Sequence, residues 1–143
     1  MARDFNERQI AHGHGGHLWF NGQKVVTLQS VEIKINGDFE EVNACGDTAT
    51  YRVYNGYSGE GSFSFLKTDS DIMSYIAEGF LTGDIQETTI ITKQEIPNTN
   101  KQERIAVHDV TFDEATLANF EAKSITKIEI PFKFGRFEVL ETI

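Results

Sequence analysis

Apolar and polar residues alternate along much of this chain, and the phase of the alternation shifts at a few definable points. Ser62-Phe63-Ser64-Phe65-Leu66 has the period of a half-buried strand. Near the end, Ile128, Ile130, Phe132 and Phe134 alternate with Lys127, Glu129, Pro131 and Lys133. Past Gly135 the apolar parity moves to Phe137, Val139 and Ile143, which implies a bend at that glycine. Pro131 cannot donate to a ladder, so its strand is expected at an edge or bulged. Residues 17–20 and 23–28 flank Asn21-Gly22, the strongest short hairpin signal. Val26 and Leu28 then share one parity and Val31, Ile33 and Ile35 the other, so a bulge is expected near Gln29-Ser30. Residues 31–35 and 51–55 are expected to be the legs of a long hairpin tipped by an exposed acidic loop over 36–50. Further strands are expected at 88–92, 104–112 and 117–121, with a turn at 96–100.

One segment breaks the pattern. Ile72, Met73, Ile76, Ala77, Phe80 and Leu81 recur at helical spacing, which predicts a helix over 69–82 with that face in the core. Asp69, Ser70 and Asp71 supply cap candidates and negative charge at its start, and Gly83 is placed to end it. The fold class follows as mainly β with one packed helix: an antiparallel sandwich or barrel with a long protruding hairpin. Residues 1–16, polar and glycine-rich, are expected to be a flexible arm on a single β domain over 17–143.

The glycines of Gly56-Tyr57-Ser58-Gly59-Glu60-Gly61-Ser62 imitate two catalytic motifs and match neither. A nucleophile elbow needs glycine where Glu60 stands. A dinucleotide fingerprint needs glycine at Ser64 and a helix where a strand pattern begins. Gly56, Gly59, Gly61 and Gly135 are therefore expected to serve geometry, letting a strand kink or approach another backbone.

With 143 residues, 13 Lys and Arg, and 22 Asp and Glu, the chain is one domain in length and carries a net charge of −9. That balance excludes a duplex nucleic-acid binder, since no basic patch is present to grip phosphates. Cys45 is the single cysteine, so neither an intrachain disulfide nor a thiolate metal site is available. The charged N-terminus has no apolar core of a signal peptide, and no stretch approaches a membrane span, so synthesis in a reducing cytoplasm is expected.

Candidate chemistry is thin. His12, His14 and His17 could take a metal ion, but without a nearby carboxylate or thiolate to fix them. Asp38, Glu40, Glu41 and Asp47 lack the spacing of a calcium loop. His108 and Asp109 are adjacent, and on a strand they point apart, so they form no relay. Asp113-Glu114 likewise fails as an acid/base pair. No catalytic residue, cofactor or metal site is expected, and an enzyme is not.

The ordered segments do resemble a known family. Gly16-His17-Leu18-Trp19-Phe20-Asn21-Gly22-Gln23-Lys24-Val25 is similar to the first hairpin of the tail tube proteins of contractile phage tails, of the type found in PBSX-like prophages. The glycine segment 56–62, the segments 104–107, 110–114 and 117–121, and the terminal segments 129–134 and 137–140 resemble that family in the same order.

The resemblance implies the tail-tube fold and a structural subunit whose six-membered rings stack into a hollow tube inside a sheath. DNA or ions would pass through it without specific binding. Its partners would be other copies of itself, sheath, tape measure, baseplate and tail terminator, in a virion or tail-like particle. On this reading Arg3, Phe5, Phe39, Glu40, Glu41 and Asp47 are expected at contacts between subunits or rings. Glu32, Lys34, Arg52 and Tyr54 are expected to line the lumen. Two alternatives stay open: the tube of a genome-free bacteriocin, and a monomeric ligand-binding β-sandwich using exposed Tyr51, Tyr54 and Tyr57.

Overall fold

The Asn21-Gly22 pair reverses the chain with both residues left-handed (φ 50° and 84°), the geometry that matches strand twist. It joins β1 (Gly16–Phe20) to a short β2 (Gln23–Lys24). The protein, described here by a computed structural model over residues 15–96 and 101–142, continues through β3 (Leu28–Asn43) and β4 (Thr50–Leu66) to a helix, α1 (Asp71–Thr82). Four strands follow: β5 (Ile90–Glu95), β6 (Gln102–His108), β7 (Lys127–Phe134) and β8 (Arg136–Glu141). They build two antiparallel sheets, one in the order β2-β1-β5-β6-β8 and the other β3-β4-β7.

One core lies between the sheets. Leu18, Phe20, Ile90 and Val107 from the first sheet join Phe63, Phe65, Ile128, Ile130, Phe132 and Phe134 from the second, with Met73 and Ile76 of α1. The parity change at Gly135 marks a switch of sheets: β7 belongs to one and β8 to the other. The break at Gln29 is likewise a register shift between Leu28 and Ser30 against β4. Pro131 stands on the edge strand β7. Lys133, two residues on, exchanges backbone bonds with Thr111 (2.7 and 2.9 Å), so the backbone groups of this parity point away from β4. The missing N–H of Pro131 therefore falls on the outer edge, where a ladder loses nothing.

Several expectations need correction. Residues 36–50 are not a loop: β3 runs to Asn43 and β4 begins at Thr50, leaving 44–49 to join them. Acidic residues are tolerated in this ladder because both faces are exposed there. Nor do residues 31–35 pair with 51–55; Val31 faces Phe63 and Ile35 faces Gly59, while Tyr51 faces Val42. The helix buries only Met73 and Ile76, and Leu81 is 87% exposed, so the periodic apolar face extends beyond what the core covers. The strand expected over 104–112 ends at His108, where Asp109 turns left-handed (φ 56°) and carries Thr111 to the other sheet. Residues 117–121 form no strand, and Phe120 is 84% exposed. That segment meets no free ladder among the described residues. Pro97 to Asn100 of the expected turn, and residues 1–14 of the arm with His12, His14, Arg3 and Phe5, lie outside the described residues.

At α1 one of the three cap candidates, Asp69, supplies the side-chain bond. Ser70 offers no side-chain bond, whereas the Asp69 carboxylate accepts from the Asp71 N–H (3.1 Å). Gly83 closes the helix left-handed (φ 74°), its N–H donating to Gly79 O at 3.0 Å.

Candidate assembly surface

Among the described residues, the outer half of the β3–β4 hairpin has no packing partner. Strand β7 pairs with β4 only from Gly59 onward, so residues 50–58 and their β3 partners stand as a two-stranded ribbon. At ~3.3 Å per residue the ribbon projects roughly 25–30 Å, and a lone hairpin of this kind is marginal in water. Strand β3, 16 residues long, is also an edge, with one face of its backbone ladder unpaired among the described residues.

Register assigns the side chains to faces. Val31, Ile33 and Ile35 share the core-side face, where Ile33 packs on the core. Phe39, Arg52 and Tyr54 lie on that same face farther out. The Arg52 guanidinium sits 4.4 Å from the centre of the Phe39 ring, and Phe39 meets Tyr54 edge-on at 5.5 Å. The other face is polar near the sheet: Lys34 Nζ lies 3.5 Å from Glu60 and 3.8 Å from Glu32. Asn36 donates to Glu60 at 3.1 Å. Hence Glu32 and Lys34 come together, Arg52 and Tyr54 come together, and the two pairs occupy opposite faces.

Beyond the bulge between Asp38 and Phe39, opposite left-handed Gly56 (φ 138°), the polar face also becomes apolar, with Val42, Tyr51 and Val53 about half exposed. Apolar residues on both faces of an unsupported ribbon are what the sequence reading did not extract. The signal was present in Tyr51-Arg52-Val53-Tyr54, where neither parity is purely polar.

The remaining glycines fit ring against backbone. A Cβ on Gly61 would lie 2.5 Å from Glu32 O and 2.7 Å from the Phe132 ring, and one on Gly59 would lie 2.2 Å from the Phe134 ring. At Gly135 the nearest contact is an ordinary 3.4 Å to Asp109.

At the ribbon tip Asp47 accepts from the Tyr51 phenol and from the Ala49 N–H (2.9 Å). Chiefly through the phenol, its carboxyl is held below the ordinary 3.8, and the Tyr51 phenol is raised above 10.0 in return. Glu40 and Glu41 are exposed on the ribbon, and Cys45 is exposed at the tip.

Elsewhere the titratable groups form pairs that hold structure. Asp109 accepts from Arg136 Nε at 2.8 Å, raising the Arg136 pKa, and His108 lies 3.3 Å from Glu138, so the two adjacent residues serve different partners. His17 sits in β1, 3.9 Å from Glu95, whose carboxyl is lowered first by its bond to Lys93 at 2.8 Å. Among the described residues no three His, Cys, Asp or Glu gather as a metal site. A groove of about 430 Å³ beside α1 is lined by Ile76, Phe80, Ile85, Val110 and Phe112, with Glu78, Asp84 and the hydrogen-bonded Tyr75–Thr88 hydroxyls (3.0 Å) among its polar groups.

A sandwich with a long open edge and a two-faced apolar ribbon is the architecture of an assembly subunit. A family model described as phage tail tube protein matches residues 3–141, and the chain belongs to that family. It is similar to two proteins of Bacillus subtilis (strain 168), the phage-like element PBSX protein XkdM and the uncharacterized protein YqbM. Each is 27% identical over 136 residues, covering 92% of this chain and 90% of the relative. Its fold matches the tube-terminating cap of the anti-feeding prophage with a TM-score of 0.76 at 13% identity, over 98% of this chain and 97% of that one. The protein is thus a structural protein of the phage tail tube family.

Proposed function

We propose that this chain is the inner-tube subunit of a contractile tail: six copies close a ring, rings stack, and the stack forms a conduit for DNA or ions after sheath contraction. The observation that carries this is the β3–β4 ribbon, whose open edge and exposed apolar faces need copies of the same chain to complete them. Head-to-tail contacts that close make a ring, and a second set that does not close makes a stack.

Within that reading, the polar face of the β3-β4-β7 sheet turns to the lumen. It carries Glu32, Glu60 and Glu129 against Lys34, Lys127 and Lys133, so passing DNA meets paired charges and no basic track. Arg52, Tyr54 and Phe39, on the opposite face, go to subunit contacts together with Glu40, Glu41 and Asp47. Sheath, tape measure, baseplate and terminator are the partners this role requires.

The fold likeness to a tube-terminating cap supports a second reading, a single terminal ring. Cryo-EM of purified protein separates the two. Long cylinders of stacked six-membered rings are expected; rings that never stack would establish the cap, and a concentration-independent monomer would reject both. Nuclease-protected DNA in purified particles distinguishes a phage from a genome-free particle.

A further inference from the structure

We propose that in the free subunit Asn55-Gly56, on the β3–β4 ribbon, is a site of spontaneous deamidation and isomerisation, selected by the fold from three Asn-Gly pairs. The pairs are Asn21-Gly22, Asn36-Gly37 and Asn55-Gly56. Asn-Gly is the dipeptide most open to this reaction, because glycine has no Cβ to screen its backbone nitrogen or restrict its rotation. The glycine nitrogen attacks the asparagine Cγ, so that an N–Cγ bond forms and the Cγ–Nδ2 bond breaks. The side-chain amide leaves as ammonia, taking the proton from the glycine nitrogen, and a cyclic succinimide remains. Water then opens that ring at either carbonyl, giving aspartate or isoaspartate. The reaction needs a side-chain amide that is free and a backbone that can rotate.

The three sites differ in both respects. The Asn21 N–H donates to Thr89 O at 2.9 Å and its Oδ1 accepts from the Thr89 N–H at 2.9 Å, which fixes backbone and side chain together. Asn36 lies in unbroken register, opposite Ser58, with Gly37 opposite Tyr57, and its Nδ2 donates to Glu60 at 3.1 Å. Asn55 has neither restraint. Register passes from Asp38 opposite Gly56 directly to Phe39 opposite Tyr54, so Asn55 is the extra residue of the bulge and has no partner across the ladder. It is exposed, and its amide makes no hydrogen bond among the described residues. Gly56 is left-handed (φ 138°) with open space where a Cβ would stand. No third strand supports the ribbon before Gly59, so only a two-stranded pairing has to open there.

Conversion adds a carboxylate across the ladder from Asp38, on a chain already at −9, and the isoaspartate form also lengthens the backbone by a methylene. Both changes fall beside Tyr54, whose ring meets Phe39, so an aged subunit carries a more acidic and distorted ribbon. The proposal does not depend on tube formation and is tested on subunit shown to be monomeric by light scattering. The protein is held in mildly alkaline buffer, native or unfolded in guanidinium chloride, and its proteolytic peptides are followed by mass spectrometry. Folding is expected to slow Asn21 and Asn36 by at least about tenfold relative to the unfolded chain, and Asn55 by no more than about threefold. Equal slowing at all three, or faster native conversion at Asn21 or Asn36, overturns the proposal. Independently, Asn55→Gln is expected to remove the main acidic species that isoelectric focusing resolves in aged native subunit. Persistence of that species in the variant overturns it as well.

Discussion

Gly61 and Gly135 look alike in the sequence, each at a change in strand behaviour, but the space around them differs. Gly61→Ala drives a methyl into the Glu32 carbonyl, which cannot rotate away, so it should cost about 1–3 kcal/mol, read as a lower urea midpoint at unchanged slope. Gly135→Ala should stay within about 0.5 kcal/mol, since its Cβ meets only an ordinary contact and its φ is not left-handed. Asp47 carries a prediction in pH. Its folded carboxyl titrates below its ordinary value, so its contribution is complete above 3.8 and is lost only as pH falls through the lower folded value. NMR titration of the Asp47 carboxyl should show this depressed midpoint, and Tyr51→Phe should move it back up. Equal midpoints in the two proteins would remove the phenol as the cause.

At the scale of elements, the helix and the ribbon each have a buried part and a part awaiting cover. Ile76→Ala in α1 should cost about 2–5 kcal/mol, because it empties a site that is 4% exposed. Leu81→Ala, five residues on in the same helix, should cost no more than about 0.5 kcal/mol because that side chain is already exposed. Thermal unfolding of the two variants decides whether the helix face is core throughout. Phe39→Ala with Tyr54→Ala should leave the melting temperature of the free subunit nearly unchanged while reducing the pelletable, assembled fraction several-fold. A large loss of subunit stability with normal assembly would contradict the assignment of these rings to contacts between copies. Sequence pattern alone could not make this distinction. Phe63, Phe132, Phe39 and Phe80 all sit in amphipathic patterns; whether a second layer lies over each is settled by where the sheets end.

For the whole molecule, a charge of −9 per copy opposes association, so polymerisation followed by light scattering should accelerate as salt rises and screens the repulsion. Slower assembly at high salt would point instead to attractive ion pairs across the interface.

Much of the architecture was legible beforehand. The Asn21-Gly22 hairpin, the shift at Gln29-Ser30, the helix, the strand from Lys127 to Phe134 and the change of parity at Gly135 all follow from local geometry and period, which each segment carries within itself. What required the folded chain was every property that depends on a distant partner. The sequence could not show that residues 36–43 have a ladder to join or that residues 117–121 do not. Nor could it show that Glu32 and Lys34 face away from Arg52 and Tyr54. Alternation dictates that a strand has two faces, but only tertiary packing decides which is covered, by what, and where the covering stops.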